Sequence, residues 1–160
     1  MEYKATIEEE NKEIAKRYKN LLKETYQTLS RSDKLLIRKA FNLSVEAHSN
    51  QRRKTGEPYI FHPISVAKIV ANEIGLGAVS IVAALLHDVV EDTKYTINDI
   101  EQLFGETVAR IVSGLTKISS LKKDKDHSIQ AENFRKMLLT LHDDVRVILI
   151  KVADRLHNMQ

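Results

Sequence analysis

An apolar segment in the middle of the chain constrains the fold more than any other feature. Residues 78 to about 91 are apolar on nearly every side of a helical projection, which predicts a central helix buried on all faces. The longest apolar run, residues 79–86, includes one serine and is far too short to cross a membrane. Since a chain of 160 residues can bury a sizeable core, the other segments are expected to pack around this helix.

Amphipathic patterns predict that the N-terminal segments are helices too. In residues 1–30, apolar side chains recur at steps of three and four, which predicts one amphipathic helix. Ser30 or Ser32 is a candidate cap for a second helix, which ends before a polar loop over residues 50–63. A short helix follows that loop and is expected to stop at Gly75.

The C-terminal half continues the helical pattern. Thr96 begins a sequence that resembles a capping box, and Gly105 is expected to end the helix that follows. No strand-like alternation persists, so we predict an all-α domain over residues 31–160, with the N-terminal helix of residues 1–30 packed on it. Further helices are predicted over residues 106 to about 115, 130–141 and 145 to the end, with a mobile charged segment at 117–128. The pattern is still helical at Gln160, from which we expect a C-terminally truncated piece of a longer protein.

Composition excludes several classes of protein. The chain has no cysteine, which excludes a disulfide scaffold, a thiolate zinc site and a cysteine nucleophile. Its formal net charge of +3 is too small to require a nucleic-acid partner, and its first residues lack the apolar core of a secretory signal. We therefore expect a cytoplasmic protein with neither a nucleic-acid nor a membrane partner, whose oligomeric state the sequence leaves open.

Polar side chains crowd the C-terminal end of the predicted central helix. His87 and Glu91 are four residues apart, as are Asp88 and Asp92, so each pair shares a helix face. Carboxylates are unfavourable at a helix C-terminus, and three of them beside an imidazole repel one another unless a cation neutralises them. The pattern therefore indicates a divalent metal site, with a solvated helix end as the alternative.

Distant residues supply further candidate ligands. His62 precedes a proline at a helix start, and Asp154 lies in an apolar stretch where a carboxylate needs a partner. Asn158 lies one helical turn beyond Asp154. Taken singly, His62 and Asn158 are ordinary polar residues. With the histidine and aspartate of the central helix, however, His62 and Asp154 form a mixed nitrogen and oxygen set, which suits Mn²⁺, Fe²⁺, Mg²⁺ or Zn²⁺.

A basic cluster lies about ten residues before His62. Arg52, Arg53 and Lys54 are consecutive in the polar loop, and a solvated loop has the same composition. Beside a metal centre, however, such a cluster suits a multiply phosphorylated substrate. Arginine offers a planar fork to phosphate oxygens or a flat face to a base, while lysine supplies a point charge.

Four segments carry a family resemblance: RKTGEPYIFHP at 53–63, ALLHDVVEDT at 84–93, QAENFRKM at 130–137 and KVADRLHNM at 151–159. They resemble, in the same order, the motifs of the RelA/SpoT family's hydrolase domain, within the HD metal-dependent phosphohydrolase superfamily. The resemblance implies an all-α HD-domain bundle. It also implies Mn²⁺-dependent removal of the 3′-pyrophosphate from the guanosine tetra- and pentaphosphates (p)ppGpp, which yields GDP or GTP.

The resemblance also implies roles for individual residues. Four would bind the metal: His62, His87, Asp88 and Asp154. Two carboxylates would activate or position water: Glu91 and Asp92. Four residues would contact the nucleotide: Arg53 by stacking on guanine, Lys54 near phosphate, Tyr59 and Asn158.

Several alternatives stay open at this point. No synthetase region follows the hydrolase motifs, so we expect the hydrolase fragment of a bifunctional enzyme. An HD phosphohydrolase that acts on another nucleotide or a phosphomonoester is the enzymatic alternative, and a non-catalytic regulatory fragment is the other. The sequence does not determine whether Glu91 or Asp92 is the base, nor which of the two alarmones is preferred.

Overall fold

A computed structural model describes residues 5–25, 29–74, 77–121 and 145–159. All regular secondary structure in these ranges is helical, which confirms the all-α prediction, and the one strand-like pairing there is an isolated bridge between Arg52 and Pro58. None of the described helices combines the length and apolar character needed to span a membrane. In chain order the helices are α1 (Ile7–Thr25), α2 (Arg31–Ala47), α3 (Phe61–Lys68) with a π-helical continuation (Ile69–Ile74), α4 (Ala78–Leu86), α5 (Val89–Asp92), α6 (Ile97–Phe104), α7 (Glu106–Leu121) and α8 (Val145–Asn158).

Helix α4 is the buried centre of the bundle, as its sequence predicts. Every residue from Ser80 to Leu86 is at most 2% exposed. Helices α2, α3 and α7 pack around it, and α8 also touches it. Because apolar side chains cover all sides of α4, the helix contributes to the core wherever a neighbour packs. This arrangement brings the loop before α3 and the last helix to the end of α4.

The central helix is shorter than the prediction of a helix to about residue 91. It ends at Leu86, His87 and Asp88 form a turn, and the chain becomes helical again in α5. The reason lies in the His87 ring, whose Nδ1–H donates to the carbonyl of Ala84 at 2.6 Å. An uninterrupted helix would offer that carbonyl to the amide of Asp88. The His87 side chain therefore competes with the backbone of α4 for the carbonyl of Ala84.

The predicted helix caps are largely confirmed. Ser30 accepts a hydrogen bond from the amide of Asp33, whose carboxylate accepts one from the amide of Ser30. Thr96 forms the same reciprocal box at α6, which Gly105 ends with φ +100°. Helix α7, however, continues to Leu121, beyond the predicted end near residue 115.

Some sequence predictions lie outside the described residues. They are the helix stop at Gly75, most of the charged segment at 117–128, the helix over 130–141 and the motif at 130–137.

Helix α1 inserts apolar side chains into the same core. Tyr18 and Leu21 are buried, and the Tyr18 ring stacks on Phe41 of α2, with ring centroids 4.1 Å apart. The guanidinium of Arg17 lies over the ring of Phe61, the first residue of α3, at 4.0 Å from its centroid. The N-terminal helix therefore packs against both α2 and the start of α3.

Replacing Leu21 by alanine should lower the free energy of unfolding by about 3 kcal/mol, because it removes a fully buried side chain and leaves a cavity. Urea unfolding followed by circular dichroism measures the change. Ile7→Ala on the same helix is the matched control; that side chain is 73% exposed, and its loss should cost less than about 0.5 kcal/mol. Equal losses in both variants would contradict the packing of α1 into the core.

Candidate metal centre

Four side chains from three parts of the chain converge at the end of α4. His62 is the second residue of α3, His87 and Asp88 form the turn after α4, and Asp154 lies on α8. The Nε2 atom of His62 lies 2.7 Å from Asp154 Oδ1 and 3.8 Å from Asp88 Oδ2. The Nε2 atom of His87 lies 2.9 Å from Asp88 Oδ2 and 3.4 Å from Asp154 Oδ1. The structure thus brings together all four residues that the sequence suggested as ligands.

The cluster is nearly closed to solvent. His62, His87 and Asp154 are at most 6% exposed, and 13% of the Asp88 side chain is accessible. The burial follows from the elements that carry these residues, since α4 is the core helix and Asp154 is on the core-facing side of α8, next to the buried Ala153. Ionised groups at such a depth require partners of opposite charge.

The electrostatics of the cluster call for a cation. Burial alone would lower the pKa of His87, but the negative charges of Asp88 and Asp154 outweigh it and raise the pKa well above the usual value. Burial would likewise raise the pKa of both aspartates, yet His87 and the other donors around them hold each pKa well below its usual range. Both carboxylates are therefore ionised at neutral pH, and positive charge is stabilised between them.

The tautomer of His87 suits a metal ligand. A carbonyl oxygen only accepts, so the contact with Ala84 places the proton of the neutral ring on Nδ1 and leaves a lone pair on Nε2. That Nε2 atom is buried and makes no well-directed hydrogen bond, although it faces two carboxylate oxygens. A lone pair pointing at carboxylates is stable only with a proton or a metal ion between them. The donor atoms of His62, His87 and Asp154 all lie within 4.8 Å of one another, and such a nitrogen and oxygen set fits a divalent metal ion.

His157 is a member of the site to which sequence reasoning assigned no role. Its Nδ1 lies 2.7 Å from Nδ1 of His62, and the two rings stack with centroids 4.9 Å apart. Burial, followed by the charges of His62 and Arg53, lowers the pKa of His157 to about 4, so the ring is neutral near pH 7. A proton on His62 Nδ1 is then donated to His157, and a metal ion would replace the Nε2 proton that is donated to Asp154 Oδ1. The available signal was spacing, since His157 follows Asp154 by three residues on one helix.

A cavity of about 580 Å³ opens beside the cluster. Its wall includes every predicted nucleotide contact, Arg53, Lys54, Tyr59 and Asn158, and adds Arg52, Thr55 and Lys151. Glu91 lines the cavity, whereas Asp92 is not among the described lining residues and its backbone carbonyl accepts from Gln51 at 3.0 Å. The structure therefore distinguishes Glu91 from Asp92 by position in the cavity wall, which the sequence could not do.

Hydrogen bonds join the cavity wall to the cluster. Burial and the charge of Asp88 raise the pKa of Tyr59, so its hydroxyl stays protonated and donates to Asp88 Oδ2 at 2.5 Å. Asn158 donates to Asp154 Oδ1 at 3.4 Å and accepts from the guanidinium of Arg53 at 3.3 Å. Through these contacts the wall orients both aspartates.

The amino-acid sequence of this chain is similar to that of one protein family and to those of several longer proteins. The model of the HD domain family matches residues 40–160. The bifunctional (p)ppGpp synthase/hydrolase SpoT of Escherichia coli K12 is 52% identical over 124 residues, which are 78% of this chain and 18% of that protein. A probable guanosine-3′,5′-bis(diphosphate) 3′-pyrophosphohydrolase of Synechocystis is 50% identical over 125 residues, or 78% of this chain and 16% of that protein. The aligned part of this chain therefore covers less than a fifth of the length of these relatives.

A solved structure agrees with these relatives. It is described as a metazoan ortholog of SpoT that hydrolyzes ppGpp and plays a role in starvation responses. The two proteins are 34% identical in sequence and superpose with a TM-score of 0.65. The similarity covers 82% of this chain and 70% of that one. Together with the all-helical elements, this similarity confirms the predicted HD-type bundle.

Replacing His157 by alanine should weaken the binding of a divalent metal by roughly tenfold to a hundredfold, because the ring of His62 loses the partner that orients it. Calorimetric titration with Mn²⁺ measures the affinity. His157→Asn keeps a hydrogen-bonding group near the position of Nδ1 and should retain more affinity, while Arg155→Ala, an exposed change on α8, should have no effect. Unchanged affinity in both His157 variants would show that this residue does not orient His62.

Proposed function

Because the chain belongs to the HD domain family, we propose that it hydrolyses the 3′-pyrophosphate of the guanosine alarmones (p)ppGpp, yielding GDP or GTP and pyrophosphate. The observation that carries this proposal is the cavity, in which histidine and aspartate side chains that could hold a divalent metal adjoin a wall bearing Arg53, Lys54 and Lys151. The printed names of its sequence relatives and the description of the solved relative support this substrate. The chain would supply the hydrolase activity of a longer bifunctional enzyme. The cytoplasm is the proposed location, which a chain without cysteine favours.

We propose Mn²⁺ as the metal, held by His62, His87, Asp88 and Asp154. Carboxylate ligands suit this ion, and two ionised aspartates match its charge. A divalent ion in such a site lowers the pKa of a bound water and neutralises phosphate oxygens. The protein's own contribution is to hold the four donors. Ala84 and His157 orient the two imidazoles, and Tyr59 and Asn158 orient the two carboxylates.

Glu91 is the proposed general base. Its side chain is exposed at the edge of the cavity. There it would accept a proton from a water beside the four metal-binding side chains as that water attacks phosphorus. Asp92 lies near Tyr59 and His48. Burial and the charge of Asp88 raise the pKa of Tyr59, and the charge of Asp92 adds to this rise. Burial lowers the pKa of His48, and the charge of Asp92 opposes this fall.

The basic wall is proposed to bind the nucleotide. Arg53 lies on the cavity surface with its guanidinium 6.0 Å from the centroid of the Tyr59 ring, so its planar face can stack on guanine. Lys54 and Lys151 offer point charges to the diphosphate groups. Lys151 also donates to Asp154 Oδ2 at 2.9 Å, so its ammonium lies where the four candidate metal ligands meet the cavity.

The activity is tested by pyrophosphate release from ppGpp with and without Mn²⁺. The protein should turn over only with Mn²⁺, and Asp88→Ala should lose both metal binding and turnover because a ligand is gone. Glu101→Gln, which changes an exposed acidic residue on α6, is the control and should behave like the unchanged protein. Metal binding without pyrophosphate release would exclude this substrate and favour another nucleotide or a phosphomonoester.

Glu91→Gln should lower kcat by roughly a hundredfold or more while metal affinity and KM stay within about twofold, because an isosteric amide cannot accept the proton. Steady-state kinetics with ppGpp and calorimetric Mn²⁺ titration give the three quantities. Asp92→Asn is the matched variant and should lower kcat less. A larger loss of kcat in Asp92→Asn than in Glu91→Gln would assign the base to Asp92 instead.

A further inference from the structure

Helix α1 carries a buried carboxylate outside the matched family region. Glu10 is 5% exposed, and its Oε2 accepts a hydrogen bond from Nη1 of Arg52. The HD domain match begins at residue 40, and the mechanism proposed above does not use Glu10. A carboxylate at this depth needs a cationic partner. Its partner is the first residue of the basic cluster, 42 positions along the chain.

The loop that receives this contact has a defined backbone. The backbone amide of Tyr59 donates to the backbone carbonyl of Gln51 at 3.0 Å, and the backbone amide of Arg53 donates to the backbone carbonyl of Glu57 at 2.9 Å. The guanidinium of Arg52 also donates across the loop to the carbonyl of Gly56 at 3.3 Å. Arg52 therefore joins the two sides of the loop and ties both of them to α1.

Arg53 and Lys54 follow Arg52 directly and line the cavity. A residue that holds Arg52 in one place also restrains the backbone from which these two side chains extend. Ordering the loop before the nucleotide arrives removes an entropic cost from binding. The core contacts of Tyr18 and Leu21 hold α1 in place, so Glu10 is attached to a rigid support.

We propose that α1 positions the nucleotide-binding loop through the ion pair of Glu10 and Arg52. Glu10 is then a positioning residue, which touches neither the nucleotide nor the metal cluster and acts through Arg52. The identity of the bound nucleotide rests on the proposed function, whereas the ordering of the loop by α1 does not.

The first test separates KM from kcat. Glu10→Gln removes the charge and keeps the shape, so KM for ppGpp should rise roughly fivefold while kcat stays within about twofold. Glu8→Gln is the matched control, because it breaks an exposed ion pair with Lys12 on the same helix at 3.8 Å, away from the loop. An unchanged KM in Glu10→Gln would overturn the proposal. A lower KM would do so too, since it would mean that Glu10 only neutralises Arg52.

The second test needs no substrate. Brief trypsin digestion of the full chain should cleave after Arg52, Arg53 or Lys54 several-fold faster in Glu10→Gln than in the unchanged protein, with Tm unaltered. Glu8→Gln should be cleaved at the unchanged rate. Mass spectrometry of the fragments identifies the site, and equal loop cleavage in all three proteins would overturn the proposal. If the unchanged protein does not hydrolyse ppGpp, the proposed function fails, but this digestion still decides whether α1 orders the loop.

Discussion

Two ionised carboxylates and two imidazoles meet at the buried end of α4, and much of the structure follows from holding them there. Asp88 and Asp154 are deep in the bundle, where a negative charge is costly unless a cation faces it. The core helix, the turn after it and the last helix all meet at this point. Without a cation the two carboxylates would destabilise this end of the bundle, and with one the cluster can serve as a chemical centre.

The helical structure is interrupted at this cluster, between the end of α4 and the start of α5. The His87 ring takes the carbonyl of Ala84, and α4 ends two residues before Asp88, the first aspartate of the site. In return the imidazole is held in the tautomer that a metal requires. The cavity wall serves the same purpose, because Tyr59 and Asn158 each orient a carboxylate at the same time as they line the cavity. The cavity wall and the candidate metal ligands thus share one hydrogen-bonded network.

Much of this was predictable from local patterns. The buried central helix, the boxes at Ser30 and Thr96 and the end at Gly105 depend on neighbouring residues only, and the structure has all of them. The break at His87 was not predictable, because periodicity describes side-chain faces and not the competition of a ring nitrogen for a backbone carbonyl. The pairing of Glu10 with Arg52 was equally hidden, since it joins residues 42 positions apart.

The sequence by itself determined the helical class, the helix boundaries set by caps and the list of candidate ligands. Each of these is written in the spacing of residues along a few turns. Only the tertiary structure decided that Glu91 lines the cavity while Asp92 does not, that His157 supports His62, and that α1 reaches the basic loop. The physical reason is that these relations depend on distances between separate helices, and packing of the whole core sets those distances.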